Sequence, residues 1–133
     1  MVLDTSALVA ILQREPERRA FIEAIEAADV RLLSVATFVE ISSVIEARHG
    51  AEGLRDLEHF IGRAGIELVS VVAEHGTLAC SAFSRYGKGR HRAGLNYGDC
   101  FSYALAISTG EPLLFKGADF AYTDVTMVEV ESP

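Results

Sequence analysis

Tryptophan is absent from this chain, and cysteine, methionine and proline are scarce, at two, two and three in 133 residues. Two cysteines, Cys80 and Cys100, cannot make a disulfide framework. A domain of this length can also build its own core, so a reduced, cytoplasmic protein with two buried thiols is expected. Long apolar runs are missing too. The longest, Ala7 to Leu12, is far short of the ~20 residues a bilayer demands, and no membrane association is expected. The start has no basic segment, and Asp4 interrupts its apolar residues, which argues against a signal peptide. There is no repeat, linker or low-complexity tract. Half of the residues are hydrophobic, too many for a disordered chain. A single domain spanning 1–133 is the expectation.

Positive charge is also in short supply: 12 Lys and Arg stand against 19 Asp and Glu, a formal net charge of −7. That balance is a poor signature for a nucleic-acid binder, which needs cations at phosphates. The distribution qualifies the total. From His75 to Tyr97 there is no acidic residue, and Arg85, Lys88, Arg90 and Arg92 fall within eight positions, with His91 among them. This basic island is either a solvated loop or a track for phosphates.

Short apolar runs alternate with helical periodicity. Met1–Leu3, Val30–Ser34, Ile66–Val72, Leu113–Phe115 and Thr126–Val130 read as strands. Between them lie helical patterns over Thr5–Gln13, Glu17–Ala28, Ala36–Arg48, Glu52–Arg63, Glu74–Tyr86 and Gly98–Thr109. Pro16 suits the start of the second helix, and Gly50 suits the end of the third. In the last helix Phe101, Ala104, Leu105 and Ser108 are expected inward. Strands separated by helices need crossovers, so the predicted fold is a three-layer α/β domain. Its central, mostly parallel sheet has about five strands and is flanked by helices.

In such sheets the functional crevice lies beyond the carboxyl ends of the strands. Asp4 is the first residue past strand one, Glu40 sits on the second turn of the helix after strand two, and Asp119 follows strand four. Asp99 opens the helix before strand four and reaches the same edge if the Gly87–Leu95 loop folds back. Asp4 and Asp99 also stand where Asp caps a helix, and Asp119 suits a turn. Glu40 is harder to dismiss, because it lies beside a core stripe of Phe38, Ile41 and Ile45, where an unpartnered carboxylate is expensive. As a group, four carboxylates at one cleft repel unless a cation joins them. Oxygen ligands without His or Cys select Mg²⁺ or Mn²⁺, and such ions suit phosphodiester hydrolysis.

Met1-Val2-Leu3-Asp4-Thr5-Ser6-Ala7-Leu8-Val9, the isolated Glu40, Asn96-Tyr97-Gly98-Asp99-Cys100 and Lys116-Gly117-Ala118-Asp119-Phe120 together resemble a PIN-domain ribonuclease. More closely, the chain resembles the VapC toxins of bacterial VapBC toxin–antitoxin systems, over essentially its whole length. The resemblance implies a PIN fold and Mg²⁺-dependent endonucleolytic cleavage of RNA, with Mn²⁺ able to substitute. It also implies a homodimer and inhibition by a cognate VapB-type antitoxin. Carried onto this sequence, Asp4, Glu40 and Asp99 match the catalytic metal site, Asp119 matches its fourth acid, and Ser6 and Asn96 match supporting residues. The sequence departs from the family pattern at Ala118, which leaves Asp124 as an alternative fourth acid. Arg85, Lys88, Arg90 and Arg92 are then the expected RNA contacts. Two other readings compete. One is a non-catalytic PIN scaffold that binds RNA or protein. The other is an aspartyl-phosphate enzyme, which Ser6 disfavours because such enzymes carry a second Asp there.

Overall fold

A computed structural model describes residues 1–131. The chain begins with β1 (Val2–Leu3), α1 (Thr5–Leu12), α2 (Arg18–Ala27), β2 (Leu32–Ser34) and α3 (Val35–Arg63). It continues with β3 (Glu67–Val69), α4 (Ala73–Tyr86), α5 (Tyr97–Thr109), β4 (Leu113–Leu114) and a 3₁₀ turn at Asp119–Tyr122. The strands are ordered β3-β2-β1-β4 and all pair in parallel, with Val2 opposite both Leu32 and Leu113.

Successive strand residues point to opposite faces of the sheet, and here each face has its own core. Leu3, Leu33 and Leu114 pack with Leu8 and Ile11 of α1, Phe21 and Ile25 of α2, and Ile41, Ile45 and Leu57 of α3. Val2, Leu32 and Leu113 pack with Ala79 and Ala82 of α4 and Ala104 and Leu105 of α5. The three layers predicted from the alternation of strands and helices are therefore present.

Several expectations need correction. Among the described residues the sheet has four strands, not about five. The Thr126–Val130 segment contributes one bridge, Met127 to Leu113, because β4 itself is only two residues long and Met127 and Val130 face solvent. β3 is shorter than the apolar run Ile66–Val72 suggested. It lies at the sheet edge with Leu68, Val71 and Val72 exposed. Residues 36–48 and 52–63 are both helical, and they join end to end as α3 across a break at Gly50, whose φ of 64° and ψ of −156° leave helical space. Such a φ suits glycine, which has no Cβ to clash. In α5, Ala104 and Leu105 are buried as expected, but Phe101 and Ser108 are only half-buried. Cys100, Ser102, Tyr103 and Ala106 are buried instead, because this helix is enclosed by α4, α3 and the sheet. Cys100 is buried as expected, whereas Cys80 lies exposed on α4.

Candidate functional site

The site is built on the carboxyl edge of the sheet. Asp4 follows β1 directly and caps α1: its Oδ2 accepts from the Ser6 N–H at 3.0 Å and from Ser6 Oγ at 2.7 Å. Its Oδ1 accepts from Ser102 Oγ at 2.6 Å, and the residue is only 2% exposed. Three donors thus compensate a carboxylate that burial would otherwise penalise. Ser102 in turn lies 3.2 Å from Thr37 Oγ1, which fixes the hydroxyl between α3 and α5. Ser6 Oγ also accepts from the Lys116 backbone N–H at 2.9 Å, tying α1 to the segment after β4.

Asp99 and Asn96 form a reciprocal cap at the start of α5. Asn96 Oδ1 accepts from the Asp99 N–H at 2.9 Å, and Asp99 Oδ2 accepts from the Asn96 N–H at 3.0 Å. Glu40 is half-buried on α3 and accepts from Thr5 Oγ1. Its carboxylate lies against Gly98, where a Cβ would stand 2.0 Å from Oε2 and 2.5 Å from Cδ. A side chain at position 98 would therefore displace the Glu40 carboxylate from the first turn of α5. Asp119 opens the 3₁₀ turn after β4 and is exposed.

These acids act on one another. The Asp99 carboxyl is pushed up to about 7, first by burial and then by Asp4, Glu40 and Asp119, although the Asn96 N–H pulls the other way. Asp124 is occupied elsewhere. Its Oδ1 accepts from Tyr103 Oη at 2.6 Å, and its Oδ2 lies 3.5 Å from Arg85 Nη2. Burial works against its charge, but these two partners outweigh it and hold the carboxyl below the usual range.

Among the described residues, no three His, Cys, Asp or Glu side chains are gathered tightly enough to hold a metal ion as they stand. The donor chemistry nevertheless fits a hard divalent cation. Asp4, Glu40, Asp99 and Asp119 offer only oxygen, and their mutual repulsion is what raises Asp99 beyond the effect of burial.

The basic island is a closed loop rather than a free one, since the Lys88 N–H donates to Leu95 O and the Leu95 N–H to Tyr86 O, each at 2.9 Å. Lys88, Arg90 and Arg92 are exposed. Arg85 is also exposed, but it stacks on Tyr86 and pairs with Asp124. Arg92 lies over Tyr122, 4.4 Å from the ring centre.

Reading the sequence missed Thr5, Ser102 and Gly98. Ser102 had a visible signal, as a hydroxyl one turn after Asp99 in an apolar helix. Gly98 had one as well, as a poor helix former retained in a first turn. Thr5 had none, because its role depends on the fold bringing Glu40 to it.

A parallel four-stranded sheet with acids converging on its carboxyl edge is the arrangement of a nuclease-type α/β domain. The PIN-domain family model matches residues 1–125, and the chain belongs to that family. It is 55% identical over 128 residues to ribonuclease VapC30 of Mycobacterium tuberculosis, covering 96% of this chain and 98% of that protein. It is 54% identical over 128 residues to a ribonuclease VapC of Mycolicibacterium smegmatis, covering 96% and 99%. Its fold is similar to the crystal structure of Mycobacterium tuberculosis VapC20, a toxin that cleaves the sarcin–ricin loop. There the TM-score is 0.77 at 15% identity, over 96% of this chain and 97% of that one. It is also similar to a chain in the crystal structure of VapBC2 from Rickettsia felis bound to promoter DNA. That match has a TM-score of 0.74 at 13% identity, over 98% of each chain.

Proposed function

We propose that this PIN domain is the toxin of a toxin–antitoxin pair and acts as a divalent-metal-dependent endoribonuclease. The observation that bears most weight is the convergence of Asp4, Glu40, Asp99 and Asp119 on one sheet edge, where the other three acids add to burial in raising the Asp99 carboxyl to about 7. The 55% identity to a named VapC ribonuclease over nearly the whole chain supports the same reading. Asp4, Glu40 and Asp99 hold Mg²⁺, or Mn²⁺ in its place, and Asp119 completes the acids. Once bound, the ion supplies an activated water and neutralises charge on the phosphoryl oxygens.

The chain's own residues supply the positioning. Ser6 and Ser102 fix both oxygens of Asp4, Thr5 holds Glu40, and Asn96 orients Asp99. Asp119 is preferred to Asp124 as the fourth acid because Tyr103 and Arg85 already occupy the latter. Lys88, Arg90 and Arg92 contact RNA phosphates, with Arg85 at the edge of that track.

The partners follow from the surface. An apolar groove of 610 Å³ runs between α4 and α5, with Phe83 and Phe101 in its lining and Tyr97 78% exposed. Surface of that kind marks a protein contact, and we assign it to a second copy of the chain in a homodimer. A VapB-type antitoxin is the inhibitor, in keeping with the toxin–antitoxin complexes among similar folds. No helix among the described residues is long and apolar enough to cross a membrane, and the protein acts in the cytoplasm, where its substrate is.

The test is cleavage of RNA by purified protein freed of antitoxin, with the ends mapped. Chelation should abolish cleavage and Mg²⁺ or Mn²⁺ restore it. Asp4→Asn should also be inactive, since its amide oxygen can still accept from Ser6 and its NH₂ can donate to a reoriented Ser102 hydroxyl while the charge is gone. Undiminished cleavage in excess EDTA would remove the metal from the mechanism. A well-folded protein inert with every divalent ion would be a scaffold.

A further inference from the structure

Each arginine of the 75–97 island lies over an aromatic ring. Arg85 stands 4.7 Å from the centre of Tyr86, Arg90 5.6 Å from Phe83 and Arg92 4.4 Å from Tyr122. A guanidinium over a ring gives its face to the ring and keeps its N–H edge for other partners. Among the described residues Arg90 and Arg92 form no ion pair. The three rings differ in where they sit. Tyr86 is half-buried, against His91 and Tyr103. Phe83 lines the α4–α5 groove assigned above to the second copy. Tyr122 is 42% exposed and belongs to neither surface.

Tyr122 ends the 3₁₀ turn that Asp119 opens. Side chains three residues apart eclipse in such a turn, so Asp119 and Tyr122 share one side, about 6 Å apart along its axis. Asp119 helps to raise the Asp99 carboxyl, which places that side toward the acids. The turn is anchored from beneath. Phe120 is 3% exposed and packs on Phe115, with ring centres 5.1 Å apart. The Ala121 N–H donates to Ala118 O at 3.1 Å, and Thr123 Oγ1 donates to Phe120 O at 2.7 Å. Asp119 and Tyr122 are thereby presented outward on a fixed base.

Two contacts join this segment to the basic loop. Arg92 lies over Tyr122, and Arg85 pairs with Asp124, whose other oxygen accepts from buried Tyr103. The cations, the ring and the fourth acid are therefore contiguous. A lone exposed tyrosine would mean nothing, since single apolar side chains are common on surfaces. This ring is held under a guanidinium and beside an acid of the site. Cations there hold phosphates, which leaves the bases of a bound strand without a partner. Unstacked bases of single-stranded RNA settle on aromatic rings and guanidinium planes.

We infer that Tyr122, with Arg92 over it, is a base-stacking subsite that holds an unpaired RNA base next to the phosphate at the acids. The inference deepens the ribonuclease reading and rests on it. Stacking accepts any base, so the subsite fixes where the strand lies rather than which sequence is cut.

The probe is a single-stranded RNA carrying one 2-aminopurine, moved position by position and bound in EDTA, with its fluorescence read as stacking quenches it. Full-length Tyr122→Ala, Tyr122→Leu and Tyr122→Phe are compared with the parent, and thermal melting checks folding. Leucine keeps the apolar bulk without a ring face, so it repeats the test if alanine disturbs the turn. One position beside the bond that the parent cuts in Mg²⁺ should be quenched by the parent and by Tyr122→Phe, and brighter with alanine or leucine. Those two variants should bind about tenfold more weakly, with the slope of log K on log salt unchanged, because a stack neutralises no phosphate. Parental affinity and quenching in both would overturn the inference. So would a loss of affinity with a flatter salt slope, which would reduce Tyr122 to a support for Arg92. Cleavage of RNA by the parent in Mg²⁺ tests the ribonuclease reading separately. A parent that cuts RNA with no quenched position defeats only the subsite. A parent that neither binds nor cuts defeats both.

Discussion

Gly98→Ala should separate activity from folding. The added methyl would stand 2.0 Å from Glu40 Oε2, 2.5 Å from Cδ and 2.6 Å from Oε1. Ordinary contact needs about 3.5 Å, so the carboxylate must retreat by roughly 1–1.5 Å. It is the far end of a flexible side chain and can swing away without moving the helices. Alanine favours the helix by ~1 kcal/mol, while the broken Thr5–Glu40 hydrogen bond costs about 1.5–3 kcal/mol. The two effects oppose each other, and the melting temperature should change by only several degrees. Activity should not survive so well, because a misplacement of ~1 Å at a reacting centre costs on the order of 100-fold. The assay is the single-turnover rate on one RNA with saturating Mg²⁺, read beside thermal melting. Adding Glu40→Asp, which withdraws the carboxylate by one methylene, should recover part of the lost rate. A Gly98→Ala protein that cuts RNA at the parental rate would refute the placement of Glu40 in the site.

Three further outcomes are expected. In metal-free protein the Asp99 carboxyl titrates at about 7 rather than 3.8, so the stability of its protonated form is complete below 3.8 and is lost as pH rises through 7. Asp99→Asn should therefore melt higher than the parent at pH 8, with the gap closing by pH 4. The full shift corresponds to ~4 kcal/mol, and partial exposure reduces that to roughly 1–2 kcal/mol. Asp119→Asn should slow cleavage with little change in melting, whereas Asp124→Asn, at a hydrogen bond to buried Tyr103, should lower the melting temperature and leave metal dependence intact. Lys88→Ala combined with Arg90→Ala should weaken RNA binding across sequences and flatten its salt dependence, with the cleavage position unchanged; parental binding at moderate salt would make the 75–97 loop merely solvated.

The layered fold was legible because strand and helix periods alternate cleanly, and Gly50 fell at a true break in α3. Asp4 and Asp99 posed a choice between helix cap and site residue; the structure shows Asp4 capping α1 and Asp99 closing the capping box of α5, and the two roles do not exclude each other. An aspartate capping a helix at a strand's carboxyl end is already aimed at the crevice, so capping is the means of positioning. What stayed hidden depends on distant partners. Nothing near Arg85 announces Asp124, and nothing near Thr5 announces Glu40. The fifth strand misled because Thr126–Val130 has the right composition but only a two-residue neighbour to pair with. Cys80 misled because cysteine's usual burial does not hold on a helix face left uncovered.

The strand order has a consequence for how the chain comes into being. β1 takes β2 on one side but must wait for β4 on the other, more than a hundred residues later, and the Asp4 N–H bonds to Leu114 O. On a ribosome, the strand that bears the first acid is an open edge until β4 has been made. A fragment ending before Leu113 would contain Asp4, Glu40 and Asp99, yet lack the strand that completes their platform. The acidic edge therefore cannot be complete before β4 has joined the sheet.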